Sequence, residues 1–368
     1  MKAAGAAMQQ SDELIDAIYE AAVISDQWPS VLEQLGGVAR ATNAALLAFD
    51  PQRQLRHTST RGYVEHLKEF ASKSANYENR RPIRALQRGE TGFLHDLEIF
   101  TQAELDADPI YQDFMYPMGY GWSAGVVVPA PTSDLIVFDM VKARDRGPFE
   151  RTDMDRLEYY RPHLARAGLL AHRLGLQAAR SATDALGIVG LPAAALSSAG
   201  RVLSANLQLQ ALGPRVRIGA FDQLQFEAPR VTALFEAALA GAAQAPVVQS
   251  IPLPASGTAN ALVLHVVPVR RLANDIFHST AAILVVTEVT QPSAPLTGVL
   301  TGLFDLTPAE ARVAQGLASG LSVNELAQKF GTSRDTVRTQ LSAIYNKTGT
   351  DAQTSLLLLL HGTRPLGD

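Results

Sequence analysis

The chain has no cysteine. Disulfides, thiolate catalysis and cysteine-ligated metal centres are therefore excluded, and a reducing cytoplasm is the compatible setting. No apolar run approaches the roughly 18 residues that a membrane helix needs, and Leu356 to Leu360 falls far short of it. Met1 to Gln10 carries one lysine and no apolar core, so it reads as a frayed end rather than a secretory signal. A glycine-rich phosphate loop and a GxSxG elbow are both missing. His57, His66 and His95 are scattered without metal-ligand spacing, His163 reads as a surface or interface residue, and His265 as a structural strand residue. Glu104, Asp106 and Asp108 read as a solvated loop and helix cap, not an acid–base pair. The expectation is a chain that is not an enzyme and needs no metal and no cofactor. A large excess of one charge is also lacking: the net charge of −4 argues against coating nucleic acid by bulk charge, yet leaves room for a local basic surface.

At 368 residues the chain should hold two or three domains. Its most informative stretch is Leu306 to Leu360. Thr307-Pro308-Ala309-Glu310 is a capping box with proline at the first helical position, and the helix it opens stops at Gly320. Ser322 caps a second helix, Val323 to Phe330, with Glu325 in its first turn. Gly331-Thr332-Ser333 is a tight turn. Ser333 then caps a third helix, Arg334 to about Lys347, which Gly349 ends, and Thr350 opens a fourth that Gly362 and Pro365 close. Leu326, Ala327, Phe330, Val337, Leu341 and Ile344 fall on inward positions, which leaves Arg334, Asp335, Thr336, Arg338, Thr339 and Gln340 on or near the outward side. A short helix, a glycine-containing turn and a second helix with a polar start make a helix-turn-helix pattern. Lys329, Arg334, Arg338 and Lys347 concentrate positive charge there against Asp335 alone.

These residues resemble the DNA-binding domain of LuxR-type transcription regulators. The matching pieces are Leu306 to Glu310, Gly320 with Ser322, Glu325-Leu326-Ala327, Ser333, Thr336-Val337-Arg338, Leu341 and Lys347-Thr348-Gly349. The resemblance implies double-stranded promoter DNA as partner, read by Ser333, Arg334, Thr336, Val337, Arg338, Gln340 and Lys347. At Gln340 the family often has histidine. The last helix is apolar all round from Leu356 to Leu360. One side should pack on its own domain; the other resembles the family's dimer contact, with Leu356 and Leu360 as contact residues. Two copies would then match a palindromic site.

Upstream, Ser11 caps an opening helix and Val31 to Ala39 forms a second. Ala44 to Phe49 and Gln54 to Thr60 read as strands, Val64 to Ala75 as a helix broken by Arg80-Arg81-Pro82, and Leu105 to Met115 as another helix. Gly121 to Val128 and Leu135 to Val141 read as an antiparallel hairpin turning at Pro129 to Asp134. This order resembles GAF-like sensor domains, with local matches at Met118 to Val128 and Arg144 to Phe149; it lacks the pattern of an acyl-homoserine-lactone sensor. From Thr152 to Ser181 a long helix carries Leu157, Tyr160, Leu164, Ala167, Ala171, Leu174 and Ala178 at alternating spacing. That pattern fits either a coiled-coil seam for a homodimer, with Leu157, Leu164 and Leu174 as contacts, or packing on the helix's own domain. Gly187 to Leu191, Ala194 to Ser197 and Gly200 to Asn206 then read as strands, followed by a helix at Leu207 to Leu212, another at Arg230 to Ala242, and strands at Ala261 to Val269 and Ala281 to Val289. The unit resembles a PAS-like domain, with Asn206 at a family position. Gln291 to Pro295 reads as a linker.

The expected architecture is therefore multidomain α/β, with GAF-like and PAS-like antiparallel sheets plus helices, and a C-terminal all-α four-helix helix-turn-helix domain. Its divisions are 1–151, a helix 152–181, 182–290, a linker 291–303, and 304–368. Aromatic residues cluster in the first domain, and Tyr63, Tyr77, Phe114, Tyr116, Tyr120 and Trp122 are the candidate contacts for a small-molecule effector. Filling of the core is the other reading of the same residues. The function expected is a cytoplasmic, dimeric, ligand-sensing transcription regulator with no membrane partner. The alternative is a ligand-free regulator whose upstream domains act only in dimerisation or protein–protein contact.

Overall fold

The computed structural model describes residues 2–50, 55–73, 77–131, 134–242, 247–269, 276–277, 280–289 and 297–362. Its elements are α1 (Lys2–Val23), α2 (Trp28–Val38), β1 (Asn43–Phe49), β2 (Leu55–Ser59), α3 (Val64–Lys73), α4 (Arg80–Gln87), β3 (Leu94–His95), α5 (Asp96–Ile99), α6 (Gln102–Ala107), β4 (Tyr120–Pro129), β5 (Leu135–Ala143) and α7 (Arg151–Ile188). There follow β6 (Ala193–Ser197), β7 (Val202–Ala205), α8 (Leu207–Gln210), β8 (Val216–Ile218), β9 (Leu224–Phe226), α9 (Pro229–Ala242), β10 (Gln249–Leu253), β11 (Leu262–Pro268) and β12 (Thr280–Glu288). Five helices close the chain: α10 (Thr297–Phe304), α11 (Pro308–Ala318), α12 (Val323–Lys329), α13 (Arg334–Thr348) and α14 (Gln353–Gly362). Contacts divide the chain into two compact units, residues 1–181, 195–204 and 269–282, and residues 182–194, 205–268 and 283–368.

The first unit is built on an antiparallel sheet of order β2-β1-β5-β4-β3. Both of its faces are covered, so its central strands are apolar on both sides rather than alternating. Ala44, Leu46, Phe138, Met140, Ala124 and Val126 pack against residues of α1, α2 and α7, including Ile18, Trp28, Leu32 and Leu164. Ala45, Leu47, Val137 and Val141 pack on the other face against Tyr63, Leu67, Phe100, Leu105 and Tyr111. A register shift in β4 between Tyr120 and Trp122 changes the alternation. Tyr120 consequently belongs to the second face and Trp122 packs with the first. Gly121 sits at the shift, where a Cβ would meet the Arg144 Cα at 2.8 Å.

Several expectations need correction. Helix α1 starts at Lys2, ahead of Ser11, because the alanine-rich opening has high helix propensity. The span Leu105 to Met115 is not one helix: α6 ends at Ala107, and a wider-wound turn runs over Tyr111–Met115. Arg80-Arg81-Pro82 does not break a helix but begins α4, which Asn79 caps by accepting from the Arg81 amide; proline is tolerated in a first turn because its missing N–H would have no partner there. Gly187 and Ile188 are not strand but the end of α7, which runs seven residues past the expected Ser181.

The coiled-coil reading of α7 is corrected in the same way. Leu157 and Leu164 are fully buried within the first unit's own core, with Tyr160, Ala167 and Ala171. At Gly168 a Cβ would lie 3.4 Å from Ile136 and 3.7 Å from Phe138, so this part of the helix rests directly on β5. Spacing of three and four describes any helix with one buried face, and here that face is buried by β5. Of the three named residues only Leu174 is exposed, at 42 %.

A second five-stranded sheet has the order β10-β11-β12-β6-β7, and β8 and β9 form a separate pair. Asn206 is buried and spends its side chain on the backbone. It accepts from the Leu209 and Ala193 amides at 3.0 Å, and donates to the carbonyls of Thr183 at 3.0 Å and Leu191 at 2.8 Å. The linker Gln291 to Pro295 lies outside the described residues. Thr297–Phe304, expected to be linker for most of its length, is helix α10, and Leu300 within it is fully buried in the C-terminal core.

Leu164→Ala should cost about 2–5 kcal/mol of stability, read as a lower denaturation midpoint that does not change with protein concentration. A loss that appears only on dilution would instead restore the dimer seam.

Candidate functional site

Two places concentrate exposed or unpartnered polar chemistry. The first is the α12–α13 pair. Ser322 and Glu325 form a reciprocal cap at the start of α12, and Thr307 and Glu310 do the same for α11. Ser333 caps α13 by accepting from the Thr336 amide at 3.1 Å, and its hydroxyl lies 2.8 Å from that of Thr336. Gly349 ends α13 in the left-handed conformation, with φ of 69°, which a side chain would oppose. Leu326, Val337, Ile344, Leu356 and Leu360 are fully buried together in one core.

On this scaffold Arg334, Thr336, Arg338 and Thr339 are exposed along the first two turns of α13, and Gln340 is half-buried. Arg338 lies 3.9 Å from Asp335, and both side chains are well solvated. Lys329 is exposed at the end of α12. Three of the expected contact residues, Val337, Leu356 and Leu360, are buried. Val337 is fully buried, so it fixes α13 to its core and offers nothing to a base. Lys347 is exposed, and its ammonium lies 2.8 Å from Glu310 Oε2 and 2.9 Å from the Asp305 carbonyl, which keeps the Glu310 carboxyl below its ordinary range. Leu356 and Leu360, expected at a dimer contact, face their own domain, while Leu358 is 72 % exposed.

The second place is a pair of adjoining cavities, of about 40 and 30 Å³, against the second face of the first sheet. Leu47, Asn79, Arg81 and Asp139 line both. Asp96 and Ser123 line the larger, and Tyr63, His66 and Phe114 the smaller. The polar groups are closely organised. The Tyr111 hydroxyl and the Ser123 amide both donate to Asp96 Oδ2, and the Ser123 hydroxyl donates to Asp139 Oδ1 at 2.6 Å. Arg81 Nη1 is buried without a hydrogen-bond partner among the described residues. Burial pushes the Asp96 carboxyl up to about 6, against the pull of Arg81 and its two donors, and raises that of Asp139 as well.

The expected effector contacts separate accordingly. Tyr63 and Phe114 line the smaller cavity. Tyr120 packs edge-on to Tyr63, with its hydroxyl held by Asn43 at 2.8 Å. Tyr77 lies behind Phe114 and donates to Asp113 at 2.8 Å; Tyr116 donates to Asp106 at 2.7 Å under the Arg144 guanidinium. Trp122 is on the opposite face of the sheet, with Nε1 donating to the Arg144 carbonyl at 3.3 Å. Neither Tyr77, Tyr116, Tyr120 nor Trp122 lines either cavity. The residues that aromatic content did not reveal are Arg81, Asp96, Ser123 and Asp139. One signal was available: an aspartate interrupts the apolar run Leu135 to Val141, and a charge inside a central strand is rarely buried without a reason.

No family model matches the chain, and no curated protein matches it. Among solved structures it is similar to the VqsR LBD domain from Pseudomonas aeruginosa, at 14 % identity over 45 % of this chain and 96 % of that one, with a TM-score of 0.35. It is similar to Escherichia coli SdiA at 10 % identity over 92 % of this chain and 91 % of that one, with a TM-score of 0.30. A Vibrio cholera VqmA–ligand–DNA complex matches at 19 % identity over 48 % of this chain and 85 % of that one, with a TM-score of 0.23. At TM-scores below 0.5 these likenesses do not bear on what the chain does.

Folded Asp96 holds its proton to about pH 6, whereas an unfolded aspartate releases it near 3.8. Between those values the folded chain binds more protons, so Asp96 makes stability fall as pH rises. Asp96→Asn should flatten the decline in the urea midpoint between pH 4 and 6.5. An unchanged slope would place the titration elsewhere.

Proposed function

We propose that the chain is a LuxR-type transcription regulator in which α12, the turn at Gly331–Ser333 and α13 form a helix-turn-helix that binds promoter DNA. The observation that carries this reading is the division of α13. Val337 and Ile344 are locked in the core, while Arg334, Thr336, Arg338 and Thr339 stand exposed on its first two turns. A helix presented this way can enter the major groove with its N-terminal residues toward bases and phosphates. Ser333 adds a hydroxyl donor at the helix start, Gln340 lies at the edge of the same face, and Lys329 supplies a further cation. Lys347 acts through Glu310, tying the last turn of α13 to the first of α11 and so holding the angle of the recognition helix.

The upstream residues serve as the sensor in this proposal. A GAF-like domain, 1–151, holds a small-molecule effector in the adjoining cavities; α7 follows it, and a PAS-like domain, 182–290, precedes the DNA-binding domain at 304–368. Dimerisation falls to residues left outward once the corrected positions are removed. On α7, Tyr159, Leu170 and Leu174 are 54, 40 and 42 % exposed, and steps of eleven and four return them to one side of a helix. Leu358 offers an apolar contact on α14. Effector binding shifts the population toward one dimer geometry and thereby sets the separation of the two α13 helices. No described helix is long and apolar enough to cross a membrane, and the cytoplasm is the compartment assigned to the protein in this proposal.

Arg338→Ala should weaken binding of the full chain to a mixed-sequence 30-base-pair duplex, and reduce the slope of log affinity against log salt by about 1. An unchanged slope would remove Arg338 from the phosphate contacts, and absence of duplex binding at 50 mM salt would contradict the proposal. Leu170→Asp with Leu174→Asp should shift the chain from dimer to monomer in sedimentation; a dimer of undiminished strength would put the interface elsewhere.

A further inference from the structure

Arg81, Asp96 and Asp139 all line the larger cavity, yet no ion pair joins them. Elsewhere among the described residues of the first unit buried carboxylates are paired: Lys142 and Arg40 both reach Asp153, at 2.9 and 2.7 Å, and Arg56 reaches Asp134 at 3.0 Å, although Arg56 Nη1 itself has no hydrogen-bond partner. The open group is costly. A buried guanidinium nitrogen without an acceptor loses its hydration, and for Arg81 that loss is offset by the longer-range attraction of Asp96 and Asp139 and by the Tyr111 ring 5.8 Å away rather than by a hydrogen bond at Nη1. Each carboxylate also has one oxygen spent and one unspent: Asp96 takes both of its bonds on Oδ2, and Asp139 its bond on Oδ1. The cavity is therefore lined by a cation with a free donor and by two carboxylates that each have an oxygen without a hydrogen bond. Around them the walls are aliphatic, from Leu47, Val127 and Val137.

We propose that the effector is an α-amino acid with a small apolar side chain, its carboxylate on Arg81 and its ammonium between Asp96 and Asp139. This assignment rests on the reading of the first unit as a sensor, and names the chemistry that fills its site. A zwitterion supplies each group with the partner it lacks. A simple carboxylic acid satisfies Arg81 but adds a negative charge beside two carboxylates. A simple amine satisfies the carboxylates and leaves Arg81 unpartnered. Arginine suits the carboxylate end because its planar fork takes both oxygens at once. Small size follows from the cavity's volume of about 40 Å³, with Phe49 and Ile99 also in its lining.

The test is calorimetric titration of the full chain with the proteinogenic amino acids, the amines made from them by decarboxylation, the corresponding deaminated acids and an acyl lactone. At least one aliphatic amino acid should bind, and its amine and acid counterparts should each bind at least tenfold more weakly. Arg81→Met keeps the side-chain volume and, with its fold verified by circular dichroism, should lose amino-acid binding at least tenfold; Asp139→Asn should do so from the ammonium side. Equal binding of an amine or an acid, or amino-acid binding that survives Arg81→Met, overturns the assignment. If the acyl lactone alone binds, the sensor reading stands and the amino-acid assignment falls. If no compound binds and native mass spectrometry of the purified chain finds no small molecule, both fall.

Discussion

Burial of charge under a sheet covered on both faces is the constraint on which the first unit depends. Where strands face helices on either side, no bulk water is available to solvate a carboxylate, and each one must be held by groups of the protein. At the start of α7 this is done in full: Asp153 is fully buried and takes both Arg40 and Lys142, so the long helix is anchored to the turn after α2 and to β5. On the opposite face it is done in part. Asp96 and Asp139 are held by Tyr111 and Ser123, while the cation that would complete them stays apart. Two buried charge clusters in one unit thus have different ends: the closed one fixes a helix, and the open one leaves a cavity whose polar atoms have unused capacity.

The same contrast runs through the C-terminal helices. Glu310 and Lys347 form a closed pair that fixes two helices against each other, and it lies beside a reciprocal cap with Thr307. Along the outer side of α13 the charges are left in solvent with only a long contact to Asp335 between them. Solvated cations on a rigid helix keep their charge available for an anionic partner, whereas the closed pair has spent its own. A fixed angle for the helix and free charge along it are the two requirements for reading a groove.

What the sequence disclosed depended on how local each signal was. Caps are local, and Thr307, Ser322 and Ser333 placed their helices to within a residue or two. The hairpin of β4 and β5 was legible from two apolar runs and a turn. Burial partners were not, because a helix with one apolar face looks the same whether it meets a second copy or its own sheet; Leu157, Leu164, Leu356 and Leu360 all met their own domains. The cavity was the least legible part. Aromatic residues drew attention to Tyr77, Tyr116 and Trp122, whose polar atoms are already bonded, and a one-residue shift in β4 sent Trp122 to the other face. Arg81 and Asp139 are 58 positions apart in the chain, and nothing in a window around either shows that they share a wall.

The central claim is that two copies of α13 read DNA together, and selection of duplexes from a random library by the full chain tests it most directly. The account predicts enrichment of a two-fold symmetric sequence whose half-sites lie about 10 base pairs apart, one turn of the duplex. Enrichment of a single half-site without symmetry would contradict the dimeric reading, and recovery of no sequence above the starting pool would contradict sequence recognition by this chain.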